Sequence, residues 1–150
     1  MRENDFHKED FSANLSDWLK DVEDTITLTT ADKVLINTAG AEAYAEVLQK
    51  DTKNKHYDLV HHKDTIYDPK TKKNKSNPHL ADTVNIQPSK DVVGAIDAGF
   101  DDKRAYIARF LNDGTKKIHG DHFVDIARAT AVPLVIKAQE EAYKKIIGGK

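Results

Sequence analysis

The period of apolar positions changes several times along the chain, and each change marks an element. Phe11, Leu15, Trp18, Leu19 and Val22 fall at i, i+4, i+7, i+8 and i+11, the spacing of one helical face. Asp10 or Ser12 is placed to cap its start by accepting a hydrogen bond from a free backbone N–H. Trp18, the only Trp, either anchors that face or meets a partner. Residues 25–30, TITLTT, are β-branched and predict a connector or short extended piece. A second helix is predicted over about 31–50. Thr29 and Asp32 stand at its start in a capping-box spacing, with Asp in place of Glu or Gln. Its face, Val34, Thr38, Ala41, Ala45 and Leu48, is mostly small. Another element can therefore approach closely, and packing within the domain is preferred to a subunit interface.

Residues 52–78 lose the period. YDPKTKKNKSNP is rich in Lys and Asn and holds two Pro, so about 53–78 is expected to be a mobile basic loop, with a strand allowed near Tyr57 to Tyr67. LADTVNIQ at 80–87 and VVGAIDAGF at 92–100 predict two strands, joined as a hairpin after Pro88. Helical spacing returns over 103–112 through Tyr106, Ile107, Phe110 and Leu111. Asn112-Asp113-Gly114 stops it, because Gly adopts the left-handed conformation cheaply. A last helical region begins near Asp121 with Phe123, Ile126 and Ala127, is kinked or restarted at Pro133, and continues as a stripe of Leu134, Ala138, Ala142 and Ile146. The expected fold is a single α+β domain over residues 1–150: amphipathic helices on a small antiparallel sheet, with a C-terminal helix.

Composition narrows the chemistry. The 150 residues suffice for one domain with a core that needs no metal or disulfide. Hydrophobic residues make up 39% and charged residues 32%, with a mean hydropathy of -0.65, which describes a modest core under a heavily charged surface. There is no Cys, which removes thiolate metal sites and Cys nucleophiles. The N-terminus is acidic and polar, so no secretory signal is expected, and no apolar run approaches the roughly 20 residues of a membrane span. A net charge of -2 gives no global attraction to nucleic acid. Charge is segregated, however. Residues 1–24 carry eight acidic against three basic side chains, and residues 53–75 carry seven Lys against three Asp. Either both segments are simply solvated, or they meet complementary surfaces within the fold or on neighbouring copies.

Catalytic constellations are sparse. His119 and His122 form an HxxH pair without the Glu of a zinc-protease helix, and His61, His62 and His79 flank the basic loop. Asp101-Asp102 and Glu140-Glu141 are adjacent and do not share a helical face. No phosphate loop, dinucleotide fingerprint or nucleophile elbow is present, and Gly114 and Gly120 read as isolated turn glycines. No catalytic residue, cofactor or metal is expected. Lys70, Lys72, Lys73 and Lys75, with Tyr57 and Tyr67 nearby, could meet phosphate backbones, which gives the alternative of a small nucleic-acid-binding protein.

The segment YIARFLNDGT, followed eight residues later by Phe123 at the mouth of the last helix, carries a resemblance. It is similar to the signature of the phage tail-component family involved in head–tail joining. Members read Tyr-Ala-Arg-Phe, an apolar and a polar residue, an aromatic, Gly-Thr, and a Pro-containing turn ending in Pro-Phe-Leu. The matching positions are Ala108, Arg109, Phe110, Gly114, Thr115 and Phe123; Ile107 stands where Tyr is usual, Asp113 replaces an aromatic, and His119 and His122 replace the two prolines. The resemblance implies a virion structural protein of a long-tailed phage or prophage, assembled in the host bacterial cytoplasm. It would form part of the neck, in head–tail joining or tail completion, as a homo-oligomeric ring between connector and tail proteins, with possible non-specific contact to DNA in the channel. Under it, Phe110, Gly114, Thr115 and Phe123 are expected to build the corner, with Phe110 and Phe123 pinned to the core. Arg109, Lys116 and Lys117 are expected to hold the monomer together or to face a neighbour, and the basic loop is expected to order on assembly.

Overall fold

A computed structural model describes residues 15–17, 19, 27–58 and 60–149. Leu15, Ser16, Asp17 and Leu19 are helical, as the spacing predicts; Phe11, Trp18 and Val22 of that face, and the caps Asp10 and Ser12, lie outside the described residues. From there the elements run α1 (Thr30–His56), β1 (Thr65–Asp68), β2 (Lys73–Ser76), a 3-10 turn (Leu80–Thr83), β3 (Val84–Pro88), β4 (Ile96–Phe100), α2 (Ala105–Asp113) and α3 (Phe123–Gly148). The α+β class holds. The strands form two separate antiparallel pairs, β1 with β2 and β3 with β4.

The capping box at α1 is complete. Thr29 Oγ1 accepts from the Asp32 N–H at 3.1 Å, and Asp32 Oδ2 accepts from the Thr29 N–H at 2.9 Å. The helix runs six residues past its expected end, because Asp51 to His56 includes no Gly or Pro and supplies Lys53, Lys55 and His56 to the negative end of the helix dipole. Gly40, Ala41, Leu48 and Thr52 are buried, and α1 packs along α3 and against the β3–β4 hairpin. Small residues set that distance, as expected for an internal contact. A Cβ on Gly40 would stand 2.9 Å from the Gln139 side chain.

Several sequence expectations need correction. The stretch 53–78 is not a patternless loop: its first residues finish α1, and Thr65–Asp68 pairs with Lys73–Ser76 from Thr65↔Ser76 to Asp68↔Lys73. Asp68 Oδ1 accepts from the Lys70 N–H at 3.0 Å, Pro69 fixes the turn's φ, and Lys72 takes a left-handed φ of 53°. Leu80 to Thr83 forms a 3-10 turn ahead of β3. Val92 and Val93 sit in the loop, 59% and 86% exposed, and β4 starts only at Ile96. Of the kink or restart expected at Pro133, the restart does not occur, because Phe123–Gly148 is one continuous helix. Pro133 lies with Ala129 on the exposed side, where the Ala129 carbonyl, four residues back, can remain solvated. The face therefore keeps one register from Phe123 through Ala127, Ala131 and Val135 to Ala138, Ala142 and Ile146. Leu134, one position off that line, is 48% exposed.

A core cluster gathers Leu80, Ala108 and Phe123, with Phe100, Ile107, Leu111 and Val124 packed around them. Phe123 is 1% exposed; Phe110, expected beside it, is 47% exposed and places its ring edge-on to Tyr106 at 5.9 Å between centroids. Ala108 and Asn112 are the residues α2 buries, so Phe110, midway between them, points away. Phe123→Ala should cost about 3–5 kcal/mol in chemical denaturation, whereas Phe110→Ala should cost about 1 kcal/mol or less.

Candidate interaction surfaces

Three surfaces stand out: the corner between α2 and α3, the basic hairpin with its histidines, and a groove between the long helices. At the corner, His122 occupies the N-cap of α3 in a left-handed conformation, with φ 56°, and its side chain caps nothing. Asn112, buried at the end of α2, does that work across the turn. Its Oδ1 accepts from the N–H groups of Val124 at 2.9 Å and Asp125 at 3.3 Å, while its Nδ2 donates to Asp113 Oδ1 at 2.8 Å and Asp125 Oδ2 at 3.0 Å. All of its hydrogen-bonding capacity is used. Its backbone carbonyl also accepts from His122 N–H at 3.1 Å. The Asn112 amide, then the His122 ring, hold the Asp125 carboxyl below its ordinary pKa.

Gly114 ends α2 at φ 87°, as expected, and its N–H donates to the Phe110 carbonyl. Gly114 and Gly120 are not isolated, however. A Cβ on Gly114 would meet Gly120 N at 2.8 Å, and one on Gly120 would meet Asn112 O at 2.6 Å. Backbone lies directly on backbone there. Thr115 Oγ1 accepts from the N–H groups of Lys117 and Ile118, shaping the turn and leaving Lys116 and Lys117 exposed. Arg109 is on the outer side of α2, 3.8 Å from Asp113 Oδ2, beside the exposed Tyr106 and Phe110. This outward group of two aromatics and an Arg has the composition of an interface anchor. His56 closes the corner from the end of α1: its ring meets Phe123 edge-on at 4.6 Å, and its Nε2 lies 2.8 Å from Asp121 Oδ2 without a well-directed hydrogen bond.

The β1–β2 hairpin carries the predicted Lys residues. Lys70 and Lys72 are in its turn, and Lys73 and Lys75 share one face of β2 with Ile66 and Asp68 opposite; every strand residue but Asp68 is exposed. Arg104, at the start of α2, fixes its base by donating to Asn77 Oδ1 at 2.8 Å and Pro78 O at 3.1 Å. The base of the hairpin and the Lys116-Lys117 turn thus lie at opposite ends of α2, a helix of nine residues and roughly 14 Å.

Beside that base, Tyr57, His79 and His62 stack in sequence, with centroids 3.8 Å and 3.7 Å apart. His62, Asp64 and His79 are the group of donors among the described residues near enough to share an ion, within 4.8 Å of one another. The HxxH residues His119 and His122 are not part of it. The imidazole planes of His62 and His79 differ by 21°, so their in-plane lone pairs run nearly side by side instead of converging. The Arg104 guanidinium is held next to them. The arrangement reads as a ring stack that braces the hairpin.

The third surface is a groove of about 470 Å³ between α1, β4 and α3. Its most buried lining residues are Gly40, Ala41 and Ala131, and two hydrogen bonds are made at it: Asn37 Nδ2 donates to Gly94 O at 2.7 Å, and Gln139 Nε2 donates to Asn37 Oδ1 at 3.4 Å. Its walls are apolar, with Ile96 and Val135 below and Val132 and Ile136, 50% and 58% exposed, at the rim. Sequence reading missed this surface, as it missed Asn112 and His56. Ile136 was legible as an apolar position off the packed stripe, but a groove needs three elements in place. No helix among the described residues is long and apolar enough to cross a membrane. No protein-family model, curated protein or solved structure matches the chain.

The Asn112 network makes an unusual demand on isosteric change. Asn112→Asp keeps the acceptor for α3 but turns two donated hydrogen bonds into contacts between carboxylates. It should destabilise by about 1–3 kcal/mol at pH 7, and the deficit should shrink as pH falls below about 5 and the new carboxyl protonates. In the parent chain the Asp125 pKa is depressed, so its contribution is present above the ordinary carboxylate range and is lost as pH falls through the lowered value. Urea denaturation of both proteins from pH 7 to pH 3 measures the difference. Gly120→Ala, which drives a Cβ into backbone, should lose about 1–3 kcal/mol, whereas Gly40→Ala meets only the flexible Gln139 and should lose less.

Proposed function

We propose that the chain is a structural protein of a long-tailed phage particle, part of the neck in head–tail joining or tail completion, and that it works as a ring-forming homo-oligomer. The observation that carries this reading is the amount of large apolar surface a single chain leaves open. Tyr106 and Phe110 on α2, and Ile126, Val132, Leu134 and Ile136 on α3, are all between 47% and 58% exposed. Scattered single residues would need no explanation, but these six sit on two helices, and Val132 and Ile136 rim a groove. The resemblance of residues 106–124 to a head–tail joining signature supports the same role. So does the corner, since a rigid turn with charged and aromatic side chains on its outside suits a part that must present a fixed face to its neighbours. Contacts to the connector and tail proteins would then fall to Arg109, Lys116 and Lys117 and to the hairpin lysines.

A second reading has its own observation. Lys70, Lys72, Lys73 and Lys75 stand on a ribbon exposed on both faces, which suits sequence-independent contact with phosphates. As the main function it predicts duplex binding by the monomer that weakens steeply with salt. Negative-stain electron microscopy over a concentration series, with duplex titrations at two salt concentrations, separates the two. Discrete annular particles with no duplex binding by the monomer are expected. A chain that stays monomeric throughout and binds duplex in a salt-dependent way would sink the neck assignment.

A further inference from the structure

We infer that residues 11–22 of one copy dock, through Leu15 and Leu19, in the groove between α1, β4 and α3 of a second copy. The inference rests on the assembly reading above and names the contact that would build the ring. Two uncovered apolar surfaces exist on the same chain. Leu15 and Leu19 are helical, lie on one face at i and i+4, and are 43% and 47% exposed. The groove's rim residues Val132 and Ile136 are exposed to a similar degree. Among the described residues neither surface covers the other, which leaves both open to a second copy.

The chemistry of the two surfaces agrees. The sequence around Leu15 and Leu19 adds Phe11, Trp18 and Val22 at the spacing of the same face. Residues 11–22 hold Asp17 and Asp21 against Lys20, with Asp17 between the two leucines, and most of the net -5 of residues 1–24 lies on the segments flanking them. The groove has Arg128 in its lining, and Lys33 packs beside the Gly94 loop at its edge. An amphipathic arm with acidic flanks thus meets an apolar trough with cations at its margin. The reach is sufficient: the ten residues from Lys20 to Thr29 span up to about 33 Å when extended. Arm and groove are different surfaces, so the contact is head-to-tail. Such contacts close into rings when the rotation permits and otherwise grow into filaments.

Two variants test it. The arm variant is Leu15→Asp with Leu19→Asp, and the groove variant is Val132→Asp with Ile136→Asp. All four positions are exposed, so both should keep the circular dichroism and melting temperature of the parent measured at concentrations where it is monomeric; Val132→Ser with Ile136→Ser replaces a groove pair that does not. Native mass spectrometry is run at concentrations where the parent assembles. Each variant alone should associate about 100-fold or more weakly than the parent. Mixed, they should form a 1:1 dimer that grows no further, because one intact arm meets one intact groove. The emission of Trp18, the only Trp, should shift to the blue in the mixture but in neither variant alone. A mixture that remains monomeric, or an arm variant that assembles like the parent, overturns the docking. In the latter case rings still form by another face, and the neck assignment stands without it. A parent chain that never assembles removes both.

Discussion

The structure turns on the carboxamide of Asn112. It sits where the end of α2 must hand over to the start of α3, and it satisfies both. Its oxygen takes two of the free N–H groups that every helix leaves at its N-terminus, and its nitrogen holds the carboxylates on either side. Two further requirements follow. Gly114 and Gly120 must lack side chains for the turn backbone to close on itself, and Phe123 must arrive buried at the first position of α3. Once Phe123 is seated against Leu80 and Ala108, the direction of α3 is set, and α1 can run along it with small residues such as Gly40 and Ala41 at the contact. His56 then reaches the corner from the far end of α1, so the longest helix is tied to the same point.

A corner held this way turns its polar and aromatic surplus outward. Phe110, Tyr106 and Arg109 share the outer side of α2, while the turn presents Lys116 and Lys117. At the other end of α2, Arg104 braces a hairpin whose lysines meet no core. The core is narrow, and several of the chain's larger apolar side chains remain at the surface of α3. These features belong together if the chain is a part of something larger. The groove and the amphipathic N-terminal face are then two halves of one contact, and the outer face of α2 and the hairpin remain for other partners.

Much of the architecture was legible from local signals. The capping box at Thr29 and the stop at Gly114 depend on residues within a few positions of one another, and the small face of α1 and the pairing of β3 with β4 on patterns within one short stretch. What could not be read depended on distance or on register. Asn112 caps a helix that begins eleven residues later, and capping rules look only at the residue immediately before the helix, here His122. KNKS has no apolar residue to announce a strand; it pairs because Asp68 and Pro69 turn the chain back on itself. Pro133 suggested a kink or a restart, and the stripe beyond it was expected to begin at Leu134, whereas the helix kept its register from Phe123. Phe110 was placed inward by its neighbours at helical spacing, although a nine-residue helix needed only Ala108, Ile107 and Leu111 to meet the core. The groove, made from α1, β4 and α3 together, had no local signature at all.

Composition of the finished particle tests the central claim most directly. Quantitative mass spectrometry of purified tailed particles, from cells that encode this chain, should find it at a fixed copy number per particle, consistent with one ring. Recovering the chain only in the soluble fraction of those cells, with complete particles that lack it, would contradict the account.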